Sequence, residues 1–277
     1  MKNQELQKRA NDVRKGIVTS VHSAKAGHPG GSLSSADVLT FLYFEEMNVD
    51  PQEPDKDSRD RFVLSKGHNA PALYSTLANR GFFPVGDLTT LRKLGSYLQG
   101  HPCIHIPGVD MSSGSLGQGV SAAVGMALGA RMDRKSFRVY TLLGDGEIQE
   151  GQVWEAAMFA GFHRLDNLCV IVDNNGLQID GPVDVVCSPY PIDQKFEAFH
   201  FHVISASAHD FDALRAAFRE ARATKGKPTA IILKSTKGKG VSFMENNVAW
   251  HGTAPNDEEY ARAMADLEKI AEEWKKG

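Results

Sequence analysis

Two short polar runs in this chain carry groups suited to holding a metal-bridged anion. The first is Gly144-Asp145-Gly146, directly after the apolar, β-branched run RVYTLL. The second is Asp173-Asn174-Asn175-Gly176, directly after LCVIV. Asp145 offers a carboxylate and Asn175 an amide oxygen. Hard oxygen ligands of this kind, completed by phosphate oxygens, suit Mg²⁺ or Ca²⁺. Gly144 and Gly146 lack Cβ, so the backbone there can approach an anionic ligand closely. Residues 147–173 lie between the two runs, a length that fits one helix and one strand. If that crossover joins neighbouring parallel strands, both runs emerge at the same sheet edge, where open α/β sheets bind ligands. Alone, Asp-Gly and Asn-Asn-Gly are ordinary turn sequences. Together, one βαβ unit apart, they point to a metal-bridged diphosphate site. The P-loop pattern GxxxxGK[ST] is absent. GSLGQG at 114–119 has three glycines but no clear preceding strand, so as a dinucleotide fingerprint it is weak.

A frame must deliver these strand ends. Residues 138–143 and 168–172 predict strands, and the apolar stretches at 61–64, 201–206 and 229–233 predict three more. Over residues 4–25, Leu6, Ala10, Val13, Ile17, Val21 and Ala24 recur at spacings of three or four, which predicts an amphipathic helix. ADVLTFLYF predicts a second helix, with Ser34 or Ser35 placed to cap it. Residues 70–80 predict a third, ended by Gly81. Further helices are predicted over 121–132, rich in Ala and Gly, over 152–163 and over 211–223. The last 20 residues, EEYARAMADLEKIAEEWKKG, predict a charged amphipathic helix. Strands alternating with helices of this length imply an α/β fold with a mostly parallel central sheet and helices on both faces. With no repeat, linker or low-complexity tract, residues 1–277 read as one domain.

Composition narrows the function classes. The chain is 42% hydrophobic and 23% charged, which excludes wholesale disorder. A net charge of −3 gives no support for a general nucleic-acid or anionic-membrane binder. No stretch approaches the roughly 18 uninterrupted apolar residues of a membrane helix. The N-terminus, MKNQELQKRA, has no apolar signal-peptide core. Cys103, Cys169 and Cys187 are odd in number and form no CxxC pair, which points to a reducing, cytoplasmic setting.

GDGEIQEGQVWEAAMFAG followed by VIVDNNGLQIDG resembles the thiamine-diphosphate motif in its transketolase form. Other motifs similar to that family appear in order: AKAGHPGGSLS, DRFVLSKGHNAPALY, LQGHPCIHIPGVDMSSGSLGQGVSAAVGMAL and KSTKGKGVSF with AWHGTAP. The similarity covers nearly the whole chain, but only the N-terminal, diphosphate-binding half of a full-length transketolase. The resemblance therefore implies the first subunit of a split enzyme. Its partner would be a C-terminal subunit carrying the pyrimidine-binding domain, in an α2β2 assembly. The implied activity is transfer of a two-carbon ketol unit from a ketose, or its phosphate, to an aldose. The implied cofactors are thiamine diphosphate and Mg²⁺, with Ca²⁺ or Mn²⁺ as substitutes. The alternatives are a cofactor-binding or regulatory partner without turnover, and another thiamine enzyme such as a deoxyxylulose-phosphate-synthase-like enzyme using a 2-oxo acid.

Residue by residue, the resemblance implies that Asp145, Asn175 and the carbonyl of Leu177 bind the metal. Gly144 and Gly146 would lie at the diphosphate, and Leu116 and Ile179 would clamp the thiazolium ring. Gly114 would approach the aminopyrimidine through its backbone. Glu150 would sit where two active sites communicate. His68 and His251 would lie near the diphosphate and the substrate hydroxyls, while His28 and His101 would contact the two-carbon unit. Imidazole suits the proton transfers of such chemistry near neutral pH. The other histidines, His22, His105, His163, His200, His202 and His209, match no motif and read as structural. Lys225, Lys227, Lys234, Lys237 and Lys239 read as a solvated basic edge, the alternative being that residues 237–240 help to close the diphosphate site. Two positions depart from the family pattern. Ser115 stands where Pro is common, and Cys103 where an acidic residue is common, which leaves the sugar open.

Overall fold

The β-branched runs form strands that lie side by side. In a computed structural model, residues 1–276 are described, with side chains described as far as residue 272. The main strands are β1 (Arg61–Leu64), β2 (Val139–Gly144), β3 (Leu168–Asn174), β6 (His202–Ser207) and β7 (Thr229–Lys234). They make one parallel sheet in the order β1-β2-β3-β7-β6. β4 (Leu177–Gln178) and β5 (Gly181–Pro182) form a small antiparallel ribbon after β3.

Alternation along the strands divides the core in two. Tyr140, Leu142, Cys169, Ile171, Ile231 and Leu233 face one apolar layer. Val139, Leu143, Leu168, Val170, Val172, Ala230 and Ile232 face the other. The first layer is covered by α1 (Asn3–Ala24), α3 (Ala36–Phe41), α4 (Ala70–Arg80), α9 (Phe211–Ala223) and α10 (Asp257–Lys276). The second is covered by α5 (Gln118–Met132), α6 (Gly151–Phe162) and α8 (Ile192–Ala198). Two short helices, α2 (Pro29–Ser34) and α7 (Val183–Val186), complete the set. This is the α/β arrangement expected from the alternating pattern, with both faces of a parallel sheet buried. No helix among the described residues is long and apolar enough to cross a membrane. The three cysteines are free thiols.

The predicted elements are present with small shifts at their ends, and two local expectations change. α5 begins at Gln118, three residues before the predicted start, and Gly81 ends α4 in a left-handed conformation, φ +104°. Neither Ser34 nor Ser35 caps α3. Ser34 Oγ instead donates its one proton to Asp173 Oδ2 at 2.6 Å, and Ser35 Oγ donates to the Gly31 carbonyl at 2.8 Å. A buried carboxylate with no water available is the stronger acceptor. ADVLTFLYF is α-helical only to Phe41 and continues as a π-helical turn, Leu42–Glu46. The wider turn sends Glu45 to Arg215 at 2.6 Å and Glu46 to the Tyr140 hydroxyl at 2.9 Å.

A buried ion cluster joins the helical layer to the loops at the carboxyl ends of β6 and β7. Arg14 on α1 donates to Asp37 on α3 at 2.5 Å, and His209 Nδ1 meets the same oxygen at 2.6 Å. The backbone N–H of Thr236 donates to His209 Nε2 at 2.9 Å, so the ring proton is on Nδ1 and points at Asp37. Despite its burial, the Arg14 guanidinium and the His209 hydrogen bond hold the Asp37 carboxyl at a pKa of about 2, against an ordinary 3.8. A depressed carboxyl pKa adds stability that is complete above the unfolded value and lost as pH falls through the folded one. Asp37→Asn should therefore flatten the loss of stability between about pH 4 and pH 2. At pH 7 it should cost about 3 kcal/mol, since it strands a buried guanidinium. Urea unfolding across pH measures both.

Candidate active site

Four adjacent strands, β1, β2, β3 and β7, end at one edge, and the loop after each enters a single cleft. β1 leads into Ser65-Lys66-Gly67-His68, and β2 into Asp145. β3 leads into Asn175 and the ribbon, and β7 into Ser235-Thr236-Lys237. The cleft has a volume of about 370 Å³ and is closed by the turn at His28 and by the stretch from Gly114 to Leu116. His28, His68, Gly114, Leu116, Gly144, Asp145, Gly146, Glu150, Asn175, Leu177, Ile179 and His251 all line it. His101 does not line its inner part. It is exposed at the mouth, and a Cβ on Gly114 would lie 3.3 Å from its ring. Ser115 is exposed, and Cys103 packs half-buried against the apolar core.

Asp145 is fixed before any ligand arrives. Its Oδ1 accepts from Gly146 N at 2.9 Å and its Oδ2 from Gly176 N at 2.5 Å. Gly176 adopts φ +77°, a left-handed turn that side-chain-bearing residues rarely take, and this turn aims its N–H at Asp145. Burial and the like charge of Asp173 push the Asp145 carboxyl up to about 6. Asn175 Oδ1 accepts from Leu177 N at 3.1 Å, and the Leu177 carbonyl accepts from Lys237 Nζ at 3.1 Å. One carboxylate after β2 and one amide oxygen and one carbonyl after β3 thus line one cleft, a set of hard oxygen donors that suits a divalent cation. Among the described residues no three His, Cys, Asp or Glu gather as a metal cage. A cation here would need ligand oxygens to complete its shell. Gln178 Oε1 and both amide atoms of Asn69 line the cleft without a partner among the described residues, as a site for a polar ligand requires.

Beneath the cleft lies an ion network that motif reasoning leaves unassigned. Lys66 Nζ binds Asp173 Oδ2 at 2.5 Å and Ser35 Oγ at 2.7 Å, and both charged residues are almost fully buried. Asp173 also accepts from Ser34, Ser235 and Asn175. Lys66 and these hydrogen bonds hold it below the usual carboxylate range despite burial. Glu147 is buried as well. It accepts from Ser65 Oγ at 2.5 Å, Gly117 N at 2.9 Å and Gly144 N at 3.0 Å, and burial raises its pKa. The sequence signal for these residues is their position one or two places from motif residues at strand ends. Lys237 departs from the solvated-edge reading. Lys225, Lys227 and Lys234 are exposed, whereas Lys237 is buried in the cleft, its stem against Gly30, where a Cβ would lie 3.2 Å from Cγ. Burial lowers its pKa to about 8.

The inner histidines form a triangle, with ring centroids 5.1 Å apart for His28 and His68, 5.6 Å for His28 and His251, and 5.3 Å for His68 and His251. Lys237 Nζ lies 3.0 Å from His251 Nδ1, so the ammonium donates and the imidazole proton sits on Nε2. Burial and Lys237 bring the His251 pKa down to about 3. Burial and Lys66 hold His68 well below 6.5. Burial lowers His28 and His101 too, with Arg92 adding to both. The lowered pKa values favour the neutral form of all four rings.

Known proteins match the chain along nearly its whole length. Residues 6–269 match the family described as transketolase, thiamine diphosphate binding domain. The chain is 46% identical to a 6-deoxy-6-sulfo-D-fructose transketolase subunit of Clostridium sp. (strain MSTE9), over 96% of this chain and 97% of that protein. It is 43% identical to an apulose-4-phosphate transketolase subunit of Phocaeicola vulgatus, over 98% and 96%. Among solved structures, transketolase from Campylobacter jejuni superposes with a TM-score of 0.90 at 35% identity. That match covers 97% of this chain and 43% of the solved one, so the chain spans less than half of that protein's length.

The network predicts its own energetics. Lys66→Met leaves the Asp173 carboxylate buried without its counter-charge and should cost about 3–5 kcal/mol. Lys66→Met combined with Asp173→Asn should recover a large part of that loss, because no bare charge remains. A double-mutant cycle on urea midpoints measures the coupling, and additive losses would contradict it.

Proposed function

We infer the function from one premise: the chain belongs to the transketolase family. It acts as the diphosphate-binding subunit of a thiamine-diphosphate-dependent transketolase, moving a two-carbon ketol unit from a ketose to an aldose. The observation that carries this reading is the single cleft in which four strand-end loops bring Asp145, Asn175 and the Leu177 carbonyl beside the neutral histidine triangle. In our reading the fold from 1 to 277 is one domain. The remaining part of the active site comes from a second polypeptide with the pyrimidine-binding domain, in an α2β2 assembly. Both relatives above are named as subunits. Their named sugars carry a sulfonate and a phosphate, and we carry a ketose with a terminal anion over to this chain as its substrate class. The reaction type is that of pentose-phosphate sugar interconversion, placed in the cytoplasm, with no nucleic-acid or membrane partner.

Thiamine diphosphate, when bound, would supply the nucleophilic carbon and the electron sink that ketol transfer requires. The residues of this chain do the rest. Asp145, Asn175 and the Leu177 carbonyl would hold Mg²⁺, or Ca²⁺ or Mn²⁺ in its place, and with it the diphosphate. Gly144 and Gly146 let the backbone come close to it. Leu116 and the exposed Ile179 would flank the thiazolium ring, and Gly114 would meet the aminopyrimidine. Glu150, exposed at the rim, faces the partner. His28 and His101 take and return the proton of a substrate hydroxyl, while His68 and His251 bind near the diphosphate and the hydroxyls. Neutral imidazoles are needed for the first step, because a protonated ring cannot act as a base.

The purified chain alone, given cofactor, Mg²⁺, a ketose phosphate and an aldose, should show negligible ketol transfer. Adding the partner subunit should restore turnover. Robust activity of the single chain would contradict the split-site reading, and CO₂ release from pyruvate would favour a 2-oxo acid enzyme instead. Asp145→Ala should remove detectable thiamine diphosphate binding in titration calorimetry, because carboxylate, cation and diphosphate share one shell. Asn175→Ala should weaken binding less, since water can replace a neutral ligand. Equal, unchanged affinity in both would reject the metal assignment.

A further inference from the structure

Asn69 follows His68 in the turn after β1. Its side chain is fully buried, yet it lines the cleft. Neither Oδ1 nor Nδ2 has a hydrogen-bond partner among the described residues. Folded proteins rarely leave a buried primary amide unanswered on both sides, because each unmet group forfeits its hydration. The turn itself needs only the main chain, where Asn69 N donates to the Lys66 carbonyl at 2.9 Å. The amide faces Gly31. A Cβ at Gly31 would lie 2.9 Å from both Nδ2 and Oδ1, so any side chain there would press on the amide. The same cleft is lined by the ammoniums of Lys66 and Lys237 and the imidazoles of His28 and His68, and by the carboxylates of Asp145, Glu147 and Glu150, which a divalent cation would offset. Cations and N–H donors around a polar cleft make a setting for an anion.

We propose that Asn69 is a diphosphate-binding residue: its Nδ2 donates a hydrogen bond to an oxygen of the bound diphosphate, and Gly31 stays bare so that the two can meet. This rests on the reading of the cleft as the thiamine diphosphate site. The amide supplies a neutral donor where a third lysine would repel Lys66 and Lys237. A hydrogen bond to a charged acceptor is among the stronger kinds, and its removal is felt in affinity.

The test is titration calorimetry of the chain assembled with its partner subunit, using thiamine diphosphate and Mg²⁺, together with thermal melting of the ligand-free chain. Asn69→Ala should weaken binding by about 10- to 100-fold. Without ligand it should melt at or above the wild-type temperature, because it loses no hydrogen bond. Asn69→Asp keeps the shape but turns an acceptor-only carboxylate toward the diphosphate, and should weaken binding further than Ala. Affinities within twofold of wild type for both variants would overturn the proposal and leave the site reading intact. A ligand-free Asn69→Ala that melts well below wild type would show that the amide serves the fold, and would overturn it too. Wild-type protein that binds no thiamine diphosphate would remove the site reading, and this proposal with it.

Discussion

The Lys66–Asp173 pair is the contact on which the rest of the site depends. Lys66 leaves the end of β1 and Asp173 stands at the end of β3, so their bridge spans the carboxyl end of β2 between them. Ser34 and Ser35 of the HPGG segment, Ser235 after β7 and Asn175 all attach to this pair. A buried ion pair is weak evidence for stability by itself, because desolvation offsets much of the attraction. Here it fixes position. Each loop that reaches the cleft, apart from the Gly114 stretch and the turn at His251, is tied to the same two charges or to an immediate neighbour of them.

The same charges set the protonation of the cleft. Three buried carboxylates, Asp145, Glu147 and Asp173, share the floor with two buried ammoniums, Lys66 and Lys237. Burial, and after it the charges of Lys66 and Lys237, lower the pKa of His68 and His251, while Asp145 opposes the burial that lowers Lys237. Histidine neutrality therefore comes from neighbours as well as burial, and a bound anion would change that balance. A cleft so arranged answers a diphosphate and a divalent cation together better than either alone, since each offsets the field that the other adds.

Much of this is legible in the sequence, for identifiable reasons. RVYTLL and LCVIV are long, β-branched and apolar, and their ends carry the glycines and carboxylates of the cleft, so parallel pairing and a shared edge follow from spacing. The Ser34–Ser35 cap fails because periodicity reports which residues are apolar and not which acceptor a hydroxyl will choose; Asp173 lies 139 residues away along the chain. Lys237 reads as part of a solvated edge because its neighbours Lys234 and Lys239 share its composition, and composition carries no information about burial. Asn69 is hidden inside a motif whose histidine draws the attention. An unanswered amide becomes visible only once every partner it lacks can be counted.

The strand order has a consequence for how the chain is made. Among the described residues β6 pairs only with β7, and β7 fills the place between β3 and β6. While the ribosome works from the end of β3 to the end of β7, the outer edge of β3 and the whole of β6 stay without their hydrogen-bonding neighbour. At ordinary elongation rates that interval lasts on the order of several seconds. An apolar, half-built parallel sheet with an open edge is a hazard for wrong pairing. Slow codons or a stalled ribosome within residues 175–228 would prolong that exposure, and a chaperone that shields the β3 edge would act at that stage of synthesis.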